Sequence, residues 1–139
     1  MSLELADTSA WTVRDRDPAV ASSFAVALAG RCVATCRPVR HELLISARDA
    51  PEIADMRNDL GRLPQVVVGE REWQRAEDVL DALGRRSPLH HRQVPLVDLL
   101  VAAAAESAGI PVVHYDRHFE LIASVTGQPV RAIAPLGSL

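Results

Sequence analysis

Four acidic residues stand where the pattern of the chain changes. Asp7 follows the short apolar run Leu3-Glu4-Leu5-Ala6, and Asp116 follows Val112-Val113-His114. Asp98 sits inside Val94-Pro95-Leu96-Val97-Asp98-Leu99-Leu100-Val101, with apolar neighbours on both sides, and Glu42 lies early in the segment that begins near Pro38. Carboxylates gathered in one place raise one another's pKa, which drives protonation unless a cation relieves the repulsion. A hard divalent ion such as Mg²⁺ or Mn²⁺ prefers oxygen ligands and keeps several waters, which suits a few carboxylates plus a substrate phosphate. Each acid also has a plain structural reading. Asp7 before Thr8 and Ser9, and Asp116 before its segment, are good helix caps. Asp98 favours a helix N-terminus by about 0.3–1 kcal/mol, and Glu42 alone is an ordinary solvated helix residue.

The elements around them decide whether the four meet. Leu3–Ala6 reads as a strand, Pro18–Ala29 as a helix opened by Asp17-Pro18 and closed by Gly30, and Arg31–Thr35 as a second strand. Helices follow from about Pro38, with Val39, Leu43, Leu44 and Ala47 at helical spacing, and from Ala50 to Leu60. Val66-Val67-Val68 reads as an edge or third strand. Glu70–Leu83 is an amphipathic helix and Pro95–Ala108 an Ala-rich one. Ile110–His114 is a strand, Asp116 to about Val125 a helix, and Val130–Ile133 a last strand. This alternation predicts an α/β domain of three layers (α/β/α), with a central, mostly parallel sheet of four or five strands. No repeat or linker interrupts residues 1–139, so the expectation is one domain. In such a sheet the reactive rim lies beyond the carboxyl ends of the strands. Asp7 and Asp116 share that rim if their strands are neighbours, and Asp98 and Glu42 reach it from helix starts.

Composition narrows the chemistry further. All 15 basic residues are Arg, because the chain contains no Lys. Phosphate loops of the Walker type and Schiff-base chemistry need a Lys and are excluded. A net charge of −3 argues against nucleic-acid binding by general electrostatics alone. Two cysteines four apart, Cys32 and Cys36, support no zinc knuckle or disulfide framework and are read as reduced thiols. No apolar run approaches the roughly 18 residues of a membrane span, and the first residues carry no basic, apolar leader, so the expected location is the cytoplasm.

Taken in order, Asp7-Thr8-Ser9, Arg40-His41-Glu42-Leu43-Leu44, Val94-Pro95-Leu96-Val97-Asp98-Leu99-Leu100 and His114-Tyr115-Asp116-Arg117-His118-Phe119 resemble the PIN-domain toxins called VapC. The likeness extends to the closing Val125-Thr126-Gly127-Gln128-Pro129-Val130. It implies an Mg²⁺- or Mn²⁺-dependent endoribonuclease, held inactive by a VapB-type antitoxin, and a homodimer. Carried over residue by residue, it makes Asp7, Glu42, Asp98 and Asp116 the four catalytic, metal-holding acids, with Thr8 or Ser9 orienting Asp7 and the metal waters. His118 stands where many relatives have a further Asp or Asn, and is read as a residue beside the metal rather than a ligand.

Such a site hydrolyses RNA by in-line attack of water on phosphorus, leaving a 5′-phosphate and a 3′-hydroxyl, with Glu42 or Asp98 taking the water's proton. With no Lys, Arg must hold the substrate. Arg85, Arg86, His90, His91 and Arg92, in the polar stretch before the Asp98 helix, and Arg117 beside Asp116 are the candidates, the stretch being otherwise a solvated connection. Trp11 and Trp73 read as packing residues. The helices near Ala50–Leu60 and Glu70–Leu83 are candidates for the antitoxin groove. A competing reading is a catalytically inactive PIN-fold binding or scaffold module, and another is a phosphatase, whose usual Asp-x-Asp pair is missing from Asp7-Thr8-Ser9.

Overall fold

The computed structural model describes residues 1–139. Four short strands, β1 (Glu4–Ala6), β2 (Val33–Ala34), β3 (Val112–His114) and β4 (Val130–Ala132), form one sheet in the order β2-β1-β3-β4. Every pairing is parallel, with Glu4 opposite Val33, Leu5 opposite Val112, and Val112 opposite Val130. The expected α/β sheet is therefore present with four strands. β1 and β3 are neighbours, which is the condition for Asp7 and Asp116 to share a rim.

Alternation along the strands divides the core in two. Leu5, Ala34 and Val112 belong to the larger cluster, with Ala76, Val79 and Leu83 of α5 (Glu70–Arg86) and Leu100, Val101 and Ala104 of α7 (Leu96–Ala108). Ala6 and Val33 point the other way and meet Phe24 of α2 (Pro18–Ala29). Between the sheet and the long α5, α7 is buried continuously from Leu99 to Ala105, so it presents no solvated stripe there. Its four consecutive Ala residues let neighbours approach closely. The same cluster takes Phe119 and Ile122 from α8 (Arg117–Thr126), both fully buried and each contributing about 1.5–3 kcal/mol.

Local signals end the helices where the chain must turn. Asp17 accepts hydrogen bonds from the amides of Ala19 and Val20 at 2.9 and 3.1 Å and so opens α2. Gly109 ends α7 with φ of 69° and Gly127 ends α8 with φ of 71°, a left-handed backbone that suits glycine. Two short helices lie where no periodicity showed, α1 (Thr8–Val13) and α6 (His90–Gln93), and α3 (Arg37–Ile45) and α4 (Ala50–Gly61) fall where spacing placed them.

Val66-Val67-Val68 is not a strand. Thr35 forms a single parallel bridge with Gln65, in which the Val66 amide donates to the Thr35 carbonyl at 2.8 Å. The chain then leaves the sheet for α5, which Gly69 precedes as its N-cap. Val66 and Val68 pack against the larger core while Val67 is 75% exposed, and beyond the Thr35–Gln65 bridge the run pairs with no strand, so β-branched composition alone does not make it one.

Candidate active site

Asp7 directly follows β1 and caps α1, and its amide donates to the Val113 carbonyl of β3 at 2.9 Å. One carboxylate oxygen, Oδ2, accepts from the Ser9 amide at 2.9 Å and from the Ser9 hydroxyl at 2.6 Å. The same hydroxyl accepts from the Tyr115 amide at 2.9 Å, so Ser9 links the ends of β1 and β3. Oδ1 is buried and has no hydrogen-bond partner. A cap needs only one oxygen. The second, in a side chain from a residue only 3% exposed, is a costly group to leave bare.

Thr8 donates to Oε1 of Glu42 at 2.7 Å, from the first residue of α1 to the second turn of α3. Ser9 and Thr8 thus divide the orienting role between two acids, Ser9 holding Asp7 and Thr8 holding Glu42. Asp116 caps α8, its Oδ1 accepting from the His118 amide at 2.9 Å. Asp98 lies in the first turn of α7, with a side chain 13% exposed. The His118 ring bridges the two, its Nδ1 lying 3.0 Å from Asp98 Oδ2 and 3.1 Å from Asp116 Oδ1.

The electrostatics follow from crowding. Burial, moderated by the bonds from Ser9 and reinforced by Glu42, raises the Asp7 pKa. The Asp98 carboxyl is pushed up to about 7, first by burial and then by the charge of Asp7, with Asp116 adding and His118 opposing. Burial, with Asp7 and Glu42 behind it, also pushes the Cys36 thiol up to about 11, so it stays protonated. The four acids are therefore linked by charge, Glu42 acting on Asp7, and Asp7 and Asp116 both acting on Asp98.

These residues fit a divalent cation. The bare Oδ1 of Asp7 is an acceptor with nothing to accept from. Donor atoms of Asp98, Asp116 and His118 all lie within 4.8 Å of one another. An oxygen-rich donor set of this kind suits Mg²⁺ or Mn²⁺, whose charge would relieve the repulsion that raises Asp98.

The basic candidates lie elsewhere or point outward. Arg85 pairs with Asp81 at 2.7 Å, and Arg86 donates to the Ser124 carbonyl and hydroxyl at 2.6 and 3.0 Å, near the far end of α8 from Asp116. His90 and His91 are partly buried on α6, where His91 packs against Gly84, and Arg92 is exposed. Arg117 is exposed beside Asp116 and has no ion pair within the chain. Trp11 packs edge-on to Phe24 at 4.9 Å, as a packing residue should, whereas Trp73 is 44% exposed. A depression of about 230 Å³ under α2 is lined by Phe24, Ala6, Val33 and Ile133 and by none of the four acids.

Sequence reasoning missed His114. Fully buried, it accepts from the Asp116 amide on Nδ1 at 3.1 Å, which fixes the proton on Nε2, 3.1 Å from Glu120 Oε1. Burial lowers its pKa. Its only signal was a polar residue closing an apolar strand.

Comparison with known proteins agrees with this geometry. The family model described as PIN domain matches residues 5–125. The chain is 40% identical over 133 residues to Ribonuclease VapC18 of Mycobacterium tuberculosis, covering 96% of each, and 38% identical over 109 residues to Ribonuclease VapC21 of the same species, covering 76% of each. Its fold resembles a chain in the crystal structure of DNA-bound VapBC from Salmonella typhimurium (TM-score 0.71, 18% identity, 96% of this chain and 100% of that one). It also resembles a chain of FitAcB from Neisseria gonorrhoeae (TM-score 0.65, 14% identity, 96% and 100%). With its sheet order, its acids on one rim and a relative matched almost end to end, this chain belongs to the PIN-domain family.

Proposed function

We propose that this protein is an endoribonuclease toxin of the VapC type, which hydrolyses RNA phosphodiester bonds with Mg²⁺ or Mn²⁺ and is silenced by a VapB-type antitoxin. The bare, buried Oδ1 of Asp7, whose charge acts on the raised Asp98 carboxyl, carries this reading, because an unpaired buried carboxylate oxygen is costly unless a cation meets it. Asp7, Asp98 and Asp116 would hold the ion, with Glu42 completing the acidic rim. When bound, the ion supplies Lewis acidity towards water and a phosphoryl oxygen. Ser9 keeps Asp7 turned to the rim, and the α7 and α8 N-termini add positive potential near a phosphate. Thr8 occupies Oε1 of Glu42 and leaves Oε2 to take the proton of the attacking water. Attack in line on phosphorus expels the 3′-oxygen, which is protonated from solvent, leaving a 5′-phosphate and a 3′-hydroxyl. Arg117 and Arg92, both exposed, are the best placed of the basic candidates to meet the backbone.

In this reading residues 1–139 act as one PIN-like domain, in the cytoplasm and as a homodimer. No helix is long and apolar enough to cross a membrane. An antitoxin helix would dock in the depression lined by Trp11, Leu43, Met56 and Leu60, between α1, α3 and α4. The other candidate, α5, buries Ala76, Val79 and Leu83 in the core it shares with α7 and leaves Trp73 half-exposed. The deciding experiment incubates purified protein with a susceptible RNA. Cleavage with Mg²⁺ or Mn²⁺, ended by EDTA and leaving 5′-phosphates, is expected. Cleavage undiminished in EDTA overturns the metal mechanism, and metal binding without cleavage returns the protein to the binding-module reading.

A further inference from the structure

We infer that His118 Nδ1 is itself a ligand of the divalent ion, and that this nitrogen tunes the site to Mn²⁺ over Mg²⁺. The inference rests on the metal reading above and assigns a donor that the four acids do not include.

The distances support it. In an octahedral shell with ligands at about 2.0–2.2 Å, adjacent donor atoms are separated by roughly 3.0 Å. His118 Nδ1 lies 3.0 Å from Asp98 Oδ2 and 3.1 Å from Asp116 Oδ1, the spacing of an adjacent ligand from each, and donor atoms of all three residues lie within 4.8 Å of one another. Their positions come from three sources that do not depend on a metal. Asp116 is fixed as the α8 cap, Asp98 by the first turn of the buried α7, and His118 by the first turn of α8, two residues after the cap. The His118 side chain is 22% exposed, enough to admit an ion from solvent and too little for a freely rotating surface ring. A second, independent feature lies within electrostatic reach of Asp98. Asp7, at 3% exposure, leaves Oδ1 unpaired, and its charge acts on Asp98 more strongly than that of Asp116 does.

Nδ1 is hydrogen-bonded to Asp98 and stands 3.1 Å from Asp116, so an ion entering between the two acids meets this nitrogen, and any proton on it leaves to solvent when its lone pair turns to the ion, as any imidazole ligand requires. The remaining donors are carboxylate oxygens. Mg²⁺ gains little from exchanging a water for imidazole, whereas Mn²⁺ accepts mixed nitrogen and oxygen shells more readily. Metal preference is then written into one side chain on the α8 N-terminus.

The test is binding, read without RNA. Mn²⁺ is titrated into the full-length protein while the free aquo ion is followed by electron paramagnetic resonance. Pulsed measurements on the bound ion report any directly bonded ¹⁴N. His118→Asn, which keeps a hydrogen bond to Asp98, and His118→Ala are compared with the parent, and Mg²⁺ affinity is obtained by competition. A nitrogen coupling in the parent is expected, lost in both variants, with Mn²⁺ affinity down by about tenfold or more and Mg²⁺ affinity changed far less. No nitrogen coupling in the parent, or unchanged Mn²⁺ affinity in a folded His118→Asn protein, overturns the assignment and leaves the acidic site standing. Asp98→Asn separates the two ideas. If that variant also binds Mn²⁺ normally, or if the parent binds none, the metal site fails together with its histidine.

Discussion

Replacing Asp98 by Asn tests the crowding directly, because the consequence has a sign and a pH window. In the folded protein this carboxyl keeps its proton up to about 7, against 3.8 for the ordinary side chain. Between those values the folded state binds the extra proton, so stability falls as pH rises through the window and levels off above it. One pH unit corresponds to about 1.4 kcal/mol, so the metal-free protein carries an unfavourable contribution of about 2 kcal/mol at pH 5 and about 4 kcal/mol at pH 8. The amide introduced by Asp98→Asn has the same shape and can still bond the His118 ring, without the charge. Urea unfolding in EDTA should therefore find the variant more stable, by an amount that roughly doubles between pH 5 and pH 8. Adding Mn²⁺ should narrow the difference. An ion at a hundred times its Kd stabilises the parent by about 2.7 kcal/mol and should do nothing for the variant. A difference between the two proteins that stays flat from pH 5 to pH 8 would refute the reasoning, because the raised carboxyl would then not be the group replaced.

Ser9→Ala removes the hydroxyl that bonds Asp7 Oδ2 at 2.6 Å, so Mn²⁺ affinity should fall by about 10–100-fold with the fold intact, as circular dichroism and the same titration would show. His114→Phe fills the same space but leaves the Asp116 amide without its acceptor, costing about 1–3 kcal/mol in thermal unfolding. The parent's buried neutral imidazole binds fewer protons than it would unfolded, so it costs stability as pH falls below 6.5, and the Phe variant should lose that part of the acid sensitivity. Met56→Glu places a charge in the depression between α1, α3 and α4; it should break co-purification with a tagged VapB-type partner while metal-dependent RNA cleavage continues. Gly109→Ala meets no atom within 4 Å but holds φ of 69°, so it should lower stability by about 1–2 kcal/mol and leave Mn²⁺ affinity unchanged.

Elements with local punctuation were legible from the sequence. Asp17-Pro18 and Gly30 bracket α2 to the residue, and Gly109 closes α7 where expected. The acids were legible as types at strand and helix ends. What periodicity could not reach was short or set by packing. The six residues of α1 span less than two turns, too few for a pattern. Val66-Val67-Val68 has strand composition, but whether a strand pairs with it is a tertiary matter. The meeting of His118 with Asp98, 20 residues apart, depends on how α8 packs beside α7, and no spacing along the chain encodes it. The same holds for Thr8, whose partner Glu42 is 34 residues away.

The sheet order has a consequence for the protein's synthesis. β1 pairs with β3 although more than a hundred residues separate them, and Asp116 lies two residues past the end of β3. A ribosome that stops before that point releases a fragment with Asp7, Glu42 and even Asp98, but with no neighbouring strand to hold Asp7 and no fourth acid. Pairing between such distant segments is also slow to form, because the intervening loop must close first. Only a chain that has reached β3 brings the four acids together, and the interval before β3 docks is time in which a VapB-type partner of the proposed toxin could bind.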